Sequence, residues 1–237
     1  MLYAWNDGIK LKAEKGLLGF CPDCQAQMVP KCGAIVTPHW AHKTLVDCDT
    51  WSEGETEWHR GWKNQFPAEE VEVSITKEGK RHRADVYLQT PVGKVRTLEF
   101  QHSSISVEEI EARENFYGKD EMMWIFDAKS AYEGRRFWFE DSGKTTAEGK
   151  KLRVSDWKHG KKSLLACDAV VILDFGEPPK DKPEQPHWMF RVVSMGTYWR
   201  ENEWEGQITV SERMSITGYF RTRDQFVSTF SGRKLHI

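Results

Sequence analysis

The chain has 237 residues, 39% of them hydrophobic and 12% aromatic, with eleven Trp. That is enough to bury about 70% of the unfolded chain's surface, which excludes fibrous and disordered classes. Thirty-four Lys and Arg against thirty-six Asp and Glu leave a formal charge of −2, a balance that neither drives nor forbids binding to a polyanion. No apolar run approaches the roughly 20 residues of a membrane span. The first ten residues carry Asp7 and Lys10 with no apolar stretch, so the expected setting is a reducing cytoplasm, with no membrane partner.

In chain order, Leu2 to Phe20 reads as a hairpin turning at Asn6-Asp7-Gly8, and a cysteine-bearing module follows it. From Glu53 to Phe66 the aromatics Trp58, Trp62 and Phe66 recur every four residues, the stripe of an amphipathic helix that Pro67 ends. Three strands are expected next, Glu70 to Thr76, His82 to Leu88 and Val95 to Gln101, joined by Lys77-Glu78-Gly79-Lys80 and Pro91-Val92-Gly93-Lys94. Ser106 opens a capping box for a helix with Ile110 and Phe116 inward, which runs to Tyr117 and closes at Gly118. Met122 to Phe126 is a buried strand. The later half is less legible: Phe137 to Phe139, Ala169 to Asp174, His187 to Ser194 and Gln207 to Ser211 look like strands, and Asp156 to Leu165 is ambiguous. Its tryptophans, Trp138, Trp157, Trp188, Trp199 and Trp204, read as core or interface rather than as platforms for bases. Basic runs at Lys77, Lys80, Arg81 and Arg83, and from Lys150 to Lys162, read as solvated faces unless a nearby site uses them.

Two constellations carry chemistry. Cys21-Pro22-Asp23-Cys24 is followed after fourteen residues by His39-Trp40-Ala41-His42, and five residues separate His42 from Cys48. Two thiolates on a tight knuckle with a later His and Cys fit a tetrahedral, structural zinc site. Cys21, Cys24, His42 and Cys48 are the expected ligands, with Cys32 and His39 as rivals; in a reducing compartment a disulfide is disfavoured. Cys167, in an expected core strand, reads as a small buried hydrophobe. The second constellation is acidic. Asp85 and Glu99 fall on expected neighbouring strands, with parities that allow one face, and such a pair either faces solvent or holds a hard cation. Gln101 shares the face of Glu99, while Glu55, His59 and Lys63 form a second stripe on the preceding helix.

Taken together, Cys21-x-x-Cys24, His39-Trp40-Ala41-His42, Glu55-Thr56-Glu57-Trp58-His59 with Lys63, Arg83-Ala84-Asp85-Val86, Glu99-Phe100-Gln101 with Ser103, and Arg113-x-x-x-Tyr117 resemble the competence protein CoiA-like family, over residues 17 to 127. The resemblance implies a PD-(D/E)XK nuclease of α/β class. Its restriction-endonuclease-like core (αβββαβ, a mixed sheet flanked by helices) would occupy 51–128. A hairpin and zinc module at 1–50 would precede it, and a β-rich extension of unassigned role would fill 129–237. It also implies that Asp85 and Glu99, with the Phe100 carbonyl, bind catalytic Mg²⁺ or Mn²⁺ in addition to the structural Zn²⁺, with Glu55 as a further carboxylate. Two departures stand out: Ala84 precedes Asp85 where the family superclass has Pro, and Gln101 stands where it has Lys. Glutamine carries no charge, so Lys63 or Arg83 would supply it, His59 would position or protonate, and Arg113 and Tyr117 would touch the phosphate backbone or brace the sheet.

The function expected is Mg²⁺- or Mn²⁺-dependent hydrolysis of single- or double-stranded DNA, in DNA uptake, recombination or defence against foreign DNA. The alternative is an inactive protein that keeps the nuclease fold and binds DNA or recruits a protein partner through its C-terminal half.

Overall fold

A computed structural model describes residues 1–33, 37–44, 48, 51, 56–89, 94–178, 180–204 and 207–231, without the side chains of residues 202, 204 and 231. It divides into two compact units, Met1–His102 and Ser103–Ile237. Among the described residues no helix is long and apolar enough to cross a membrane.

The first unit opens with a small five-stranded sheet in the order β2-β1-β3-β4-β5. Its strands are β1 (Tyr3–Asn6), β2 (Ile9–Lys12), β3 (Gly19–Phe20), β4 (Gln27–Lys31) and β5 (His39–His42). Asp7 and Gly8 both take positive φ, 48° and 76°, as a two-residue hairpin turn of the primed type requires. Ala4, Ala13, Cys21, Met28 and Trp40 form the module's core. Helix α1 (Glu57–Lys63) follows, capped by Thr56, whose hydroxyl accepts from the His59 backbone N–H. Its buried stripe is His59, Trp62, Lys63 and Phe66, while Trp58 is only half-buried. The expected polar stripe therefore lies inside the packed face, not beside it. Strands β6 (Val71–Lys77), β7 (Lys80–Gln89) and β8 (Val95–Gln101) are antiparallel, β6 to β7 and β7 to β8. The expected strand boundaries are met within two residues; Pro91 to Gly93 lie outside the described residues.

The second unit carries α2 (Val107–Tyr117), β9 (Met122–Asp127), α3 (Lys129–Glu133), β10 (Phe137–Thr145), β11 (Lys151–Trp157), β12 (Val170–Asp174), β13 (Trp188–Trp204), β14 (Gln207–Thr222) and α4 (Arg223–Ser231). Its strands form a mixed sheet in the order β10-β11-β14-β13-β12-β9, parallel only between β9 and β12. Those two are near-continuous apolar runs, as strands covered on both faces must be. Phe137, Phe139, Phe175, Phe190 and Phe220 pack as an aromatic core, with Phe139 4.8 Å from Phe220 and 4.9 Å from Phe190 between ring centroids. Gly218 is obligatory there, because a Cβ would fall 2.0 Å from the Arg191 carbonyl oxygen.

Three expectations for this unit change. Residues from Asp156 to Leu165 divide into the end of β11 and a 3-10 turn at Lys162–Ala166. Cys167 follows that turn, half-buried and ahead of β12. The helix α2 buries Ile110, Arg113, Glu114 and Tyr117 rather than Phe116.

Candidate metal centre and carboxylate row

The knuckle at Cys21 is set by two backbone bonds, Cys21 N to the Ala26 carbonyl at 2.9 Å and Gln25 N to the Cys21 carbonyl at 3.0 Å, with Gln25 at φ 59°. β5 carries His42 opposite Met28, and the ligand atoms of Cys21, Cys24, His42 and Cys48 all lie within 4.8 Å of one another. Cys21 Sγ and Cys48 Sγ are 3.7 Å apart, and Cys24 Sγ is 3.3 Å from His42 Nε2. Zinc–sulfur bonds of about 2.3 Å place tetrahedral sulfurs about 3.8 Å from each other, so this Cys₃His set could hold zinc with little movement. Of the two rivals, His39 is turned onto the Thr37 carbonyl at 2.8 Å, and Cys32 packs against the module's core.

Electrostatics agree with that donor set. Burial, then the neighbouring Cys21 and Cys24, push the Cys48 thiol up to about 12, and burial raises Cys21. Crowded thiols resist ionising together; a divalent cation among them reverses the sign. Burial and the charges of Arg83 and the N-terminus lower His42, favouring the neutral imidazole that ligates metal.

The second site is a row across three strands. Val71↔Val86 and Val73↔Ala84 bracket Glu72 and Asp85, and the β7–β8 register ends at Val86↔Leu98, which places Glu99 next to Asp85. At that row carboxylates replace ladder carbonyls as acceptors. Phe100 N donates to Asp85 Oδ2 at 2.9 Å, and Asp85 N donates to Glu99 Oε1 at 3.4 Å. Lys63 bridges the row, 3.1 Å from Asp85 Oδ1 and 2.9 Å from Glu72 Oε1. Asp85 remains 21% exposed while Glu99 and Gln101 are buried, so Asp85 is the acid of this pair that meets solvent. Burial alone would raise the Asp85 carboxyl, but the Lys63 ammonium, His59 and the Phe100 N–H outweigh it and hold it below the usual range.

His59 has a defined role in the geometry. Its Nε2 lies 3.1 Å from the Phe100 carbonyl, which can only accept, so Nε2 carries the proton. Nδ1 lies 2.7 Å from the Thr56 hydroxyl. The ring thus ties the helix cap to β8. Phe100 oxygen, one expected metal ligand, is held by this histidine. Among the described residues only the Cys/His set brings three or more metal-ligating side chains close enough for one ion. The oxygen donors of Asp85, Glu99 and Phe100 are nevertheless of the hard type that Mg²⁺ or Mn²⁺ takes. Glu55 lies outside the described residues.

Other expected site residues are placed differently. Arg83 is not turned to solvent but forms an ion pair with Asp23, both side chains under 10% exposed. Arg113, in the second unit, is buried, pairs with Glu109 and sits 5.7 Å over the Trp124 ring, contacts of the bracing kind. Tyr117 is buried beside it on the same helix face.

Two residues escaped the sequence reading. Glu72 alternates with Val71, Val73 and Ile75 and so reads as a solvent-facing strand acid. Instead it is buried at φ 50°, accepting from Leu2 N at 2.8 Å and Tyr3 N at 2.9 Å. Asp23, inside the cysteine knuckle, holds Arg83, Ser74 and, through its carbonyl, Arg81 at 2.7 Å. Its only signal was its position between two ligands.

The fold and these sites define a nuclease-like α/β protein with a small cysteine- and histidine-bearing N-terminal module. Residues 10–50 match the family model of the competence protein CoiA N-terminal domain, and residues 56–150 match that of the CoiA nuclease-like domain, together more than half of the chain. The chain belongs to the competence protein CoiA-like family, and its nuclease-like domain suggests a nuclease-related role in competence. Neither a curated protein nor a solved structure matches it.

Proposed function

We propose that this chain is a metal-dependent nuclease that hydrolyses DNA phosphodiester bonds, with a restriction-endonuclease-like core centred on Asp85 and Glu99. The observation that carries the reading is the break in the β7–β8 ladder. Two carboxylates meet there in place of ladder carbonyls, and one of them is open to solvent. An acid row that served only as surface would face water along its length, whereas this one is buried around a single accessible carboxylate. When bound by Asp85, Glu99 and the Phe100 carbonyl, Mg²⁺ or Mn²⁺ would lower the pKa of a water and neutralise phosphate charge.

The chain's own residues support that task. Lys63 brings an ammonium to Asp85, the positive charge that Gln101 lacks, and would stabilise the charge that builds on a scissile phosphate. His59 fixes the Phe100 carbonyl and so the backbone on which Glu99 and Gln101 are carried. Gln101 would orient a water or ligand. The Cys₃His module would hold a structural zinc, and Asp23 would carry its position to β7 through Arg83.

The test is incubation of the pure full-length protein with single- and double-stranded DNA and RNA, with and without Mg²⁺ or Mn²⁺, beside Asp85→Asn. Metal-dependent cleavage of DNA by the parent and none by the variant supports the reading; equal cleavage by both rejects the site. One observation favours a second reading. Lys63 already neutralises Asp85, as expected if a protein cation has permanently replaced the metal in an inactive nucleic-acid-binding or partner-recruiting descendant. Failure of either divalent ion to support cleavage of any substrate would favour it.

A further inference from the structure

In the second unit the sheet formed by β10, β11, β14 and β13 has two unlike faces. One side is core: Phe137, Trp157 and Met214 are all under 10% exposed. On the other side the register aligns Trp138 with Asp156, Asp156 with Ser215, and Ser215 with Gly196. Two residues along lies a second row. Lys158 N donates to the Arg136 carbonyl at 2.8 Å, and Arg213 is paired with Tyr198. Because side chains two apart on a strand share a face, this open side carries a row of cations beside a row headed by tryptophan.

The two rows line a cavity of about 580 Å³ to which Arg135, Arg136, Lys158, Arg200 and Arg213 contribute five positive charges. Only Glu140 and Asp156 oppose them there, and Asp156 is spent on Arg200 at 2.9 Å. Among the described residues no carboxylate forms an ion pair with Arg135, Arg136, Lys158 or Arg213. In a chain of net charge −2, these residues make a local excess of cations in one concavity. Trp138 stands in this groove 70% exposed and Tyr198 39% exposed, so of the core and interface roles expected for Trp138 the core one does not hold. Large aromatics left open among cations on a rigid sheet offer flat faces to unstacked bases, with phosphates taken by the flanking Arg and Lys. A duplex conceals its base faces, and an acidic peptide has no flat group for the indole.

We propose that this basic, tryptophan-bearing sheet face is a binding groove for single-stranded nucleic acid, with Trp138 stacking on a base and Arg136, Lys158 and Arg213 holding consecutive phosphates. The groove shares no residue with the row of Asp85 and Glu99, and its binding does not depend on cleavage there.

The test is fluorescence anisotropy of the full-length protein with labelled oligothymidylate, oligouridylate, a duplex of equal length and an abasic oligonucleotide, without added divalent metal and over a range of salt. Circular dichroism verifies that each variant is folded. The parent is expected to bind the single strands more tightly than the duplex, and the oligothymidylate and oligouridylate arms separate DNA from RNA. Trp138→Ala is expected to weaken binding about tenfold with the salt slope unchanged. Lys158→Glu, alone and with Arg213→Glu, is expected to weaken it about tenfold or more and to flatten the slope by about 0.7 for each phosphate left without its cation. Affinity unchanged in both Trp138→Ala and Lys158→Glu would overturn the proposal. So would abasic oligonucleotide binding as tightly as oligothymidylate, or polyglutamate competing equally well, which would mark an acidic protein as the occupant. Cleavage by the parent chain with Mg²⁺ or Mn²⁺ distinguishes the two readings: a parent that binds through this groove but cuts nothing loses the nuclease reading alone, and one that cuts while the Trp138 and Lys158 variants bind normally loses the groove alone.

Discussion

The first unit holds two clusters of metal-type ligands that are built in opposite ways. The Cys/His cluster is made largely of soft donors, its four ligand atoms already gathered within 4.8 Å. The acid row is made of hard oxygens on long strands, and Asp85 and Glu72 are compensated by the protein itself, through Lys63, with the Phe100 N–H donating to Asp85. If the Cys/His cluster holds a structural zinc, the difference separates a site that would need its ion from an acid row compensated by the protein without one. A structural metal contributes folding energy, so its ligands can be left uncompensated. A site that must exchange ion, water and substrate has to remain folded when empty, and a buried acid then requires a partner.

The largest effect that tests this contrast is loss of the knuckle. Cys21→Ser should release zinc and unfold residues 1–50, because closed sites contribute about 10 to 16 kcal/mol in isolated zinc modules. Metal analysis and thermal unfolding with and without a chelator would measure it. A variant that keeps one zinc per chain would put the ligands elsewhere. Next in size, Asp85→Ala or Glu99→Ala should lower metal-dependent cleavage by about 10³-fold or more while zinc content stays at the parent value. If the same substitutions also stripped zinc, the two clusters would not be independent, and the contrast would fail.

How much of this was legible follows from the range of the interactions. The Cys-x-x-Cys knuckle, the Asp7-Gly8 hairpin and the Ser106 cap are local, with their physics confined to a few consecutive residues. Asp85 and Glu99 were legible because period-two alternation and two short hairpins fix register. Lys63, His59 and Gln101 could be gathered near the acids, but not their bonds. That His59 grips a carbonyl 41 residues away, or that Lys63 straddles two acids, depends on how α1 lies on the strands. Glu72 was illegible for a sharper reason: a positive φ at a non-glycine residue breaks the alternation by which a strand acid would be assigned a face. In the second unit β13 and β14 run to 17 and 16 residues, yet only fragments were visible. Beyond Tyr198 the hairpin is exposed on both faces, so no apolar alternation marks it.

Glu72 sharpens the comparison from the other side, because it joins the two clusters. It receives the backbone of β1 and the ammonium of Lys63. Glu72→Gln removes one of the two carboxylates that flank Lys63 and should cost about 3 kcal/mol, the lower end for a broken buried pair. Cleavage should fall less than in Asp85→Ala, since no proposed metal ligand is removed. Urea denaturation and initial cleavage rates would separate the two readouts; a variant as stable as the parent would mean that Glu72 does not hold the row together.

The smallest effect is in pH. Burial would raise the Glu72 carboxyl, but the charges of Lys63, the N-terminal amine and Arg83 outweigh it and hold the folded group well below the carboxylate range. A group lowered on folding contributes stability that is complete above its unfolded pKa of about 4.3 and is lost as pH falls toward the folded value. Below about pH 4 the parent should therefore lose up to about 1.4 kcal/mol per pH unit through this group, and Glu72→Gln should not. The difference in unfolding free energy between parent and variant, followed from pH 7 into acid, should be constant at first and then shrink. Carboxylates that do not share Lys63 titrate alike in both proteins and cancel in that difference; Asp85, which shares it, is followed separately in Asp85→Asn with and without Glu72→Gln. A gap that stays constant to the acid limit would show that Glu72 does not draw its stability from its charge, and the pairing with Lys63 would then be a contact of shape alone.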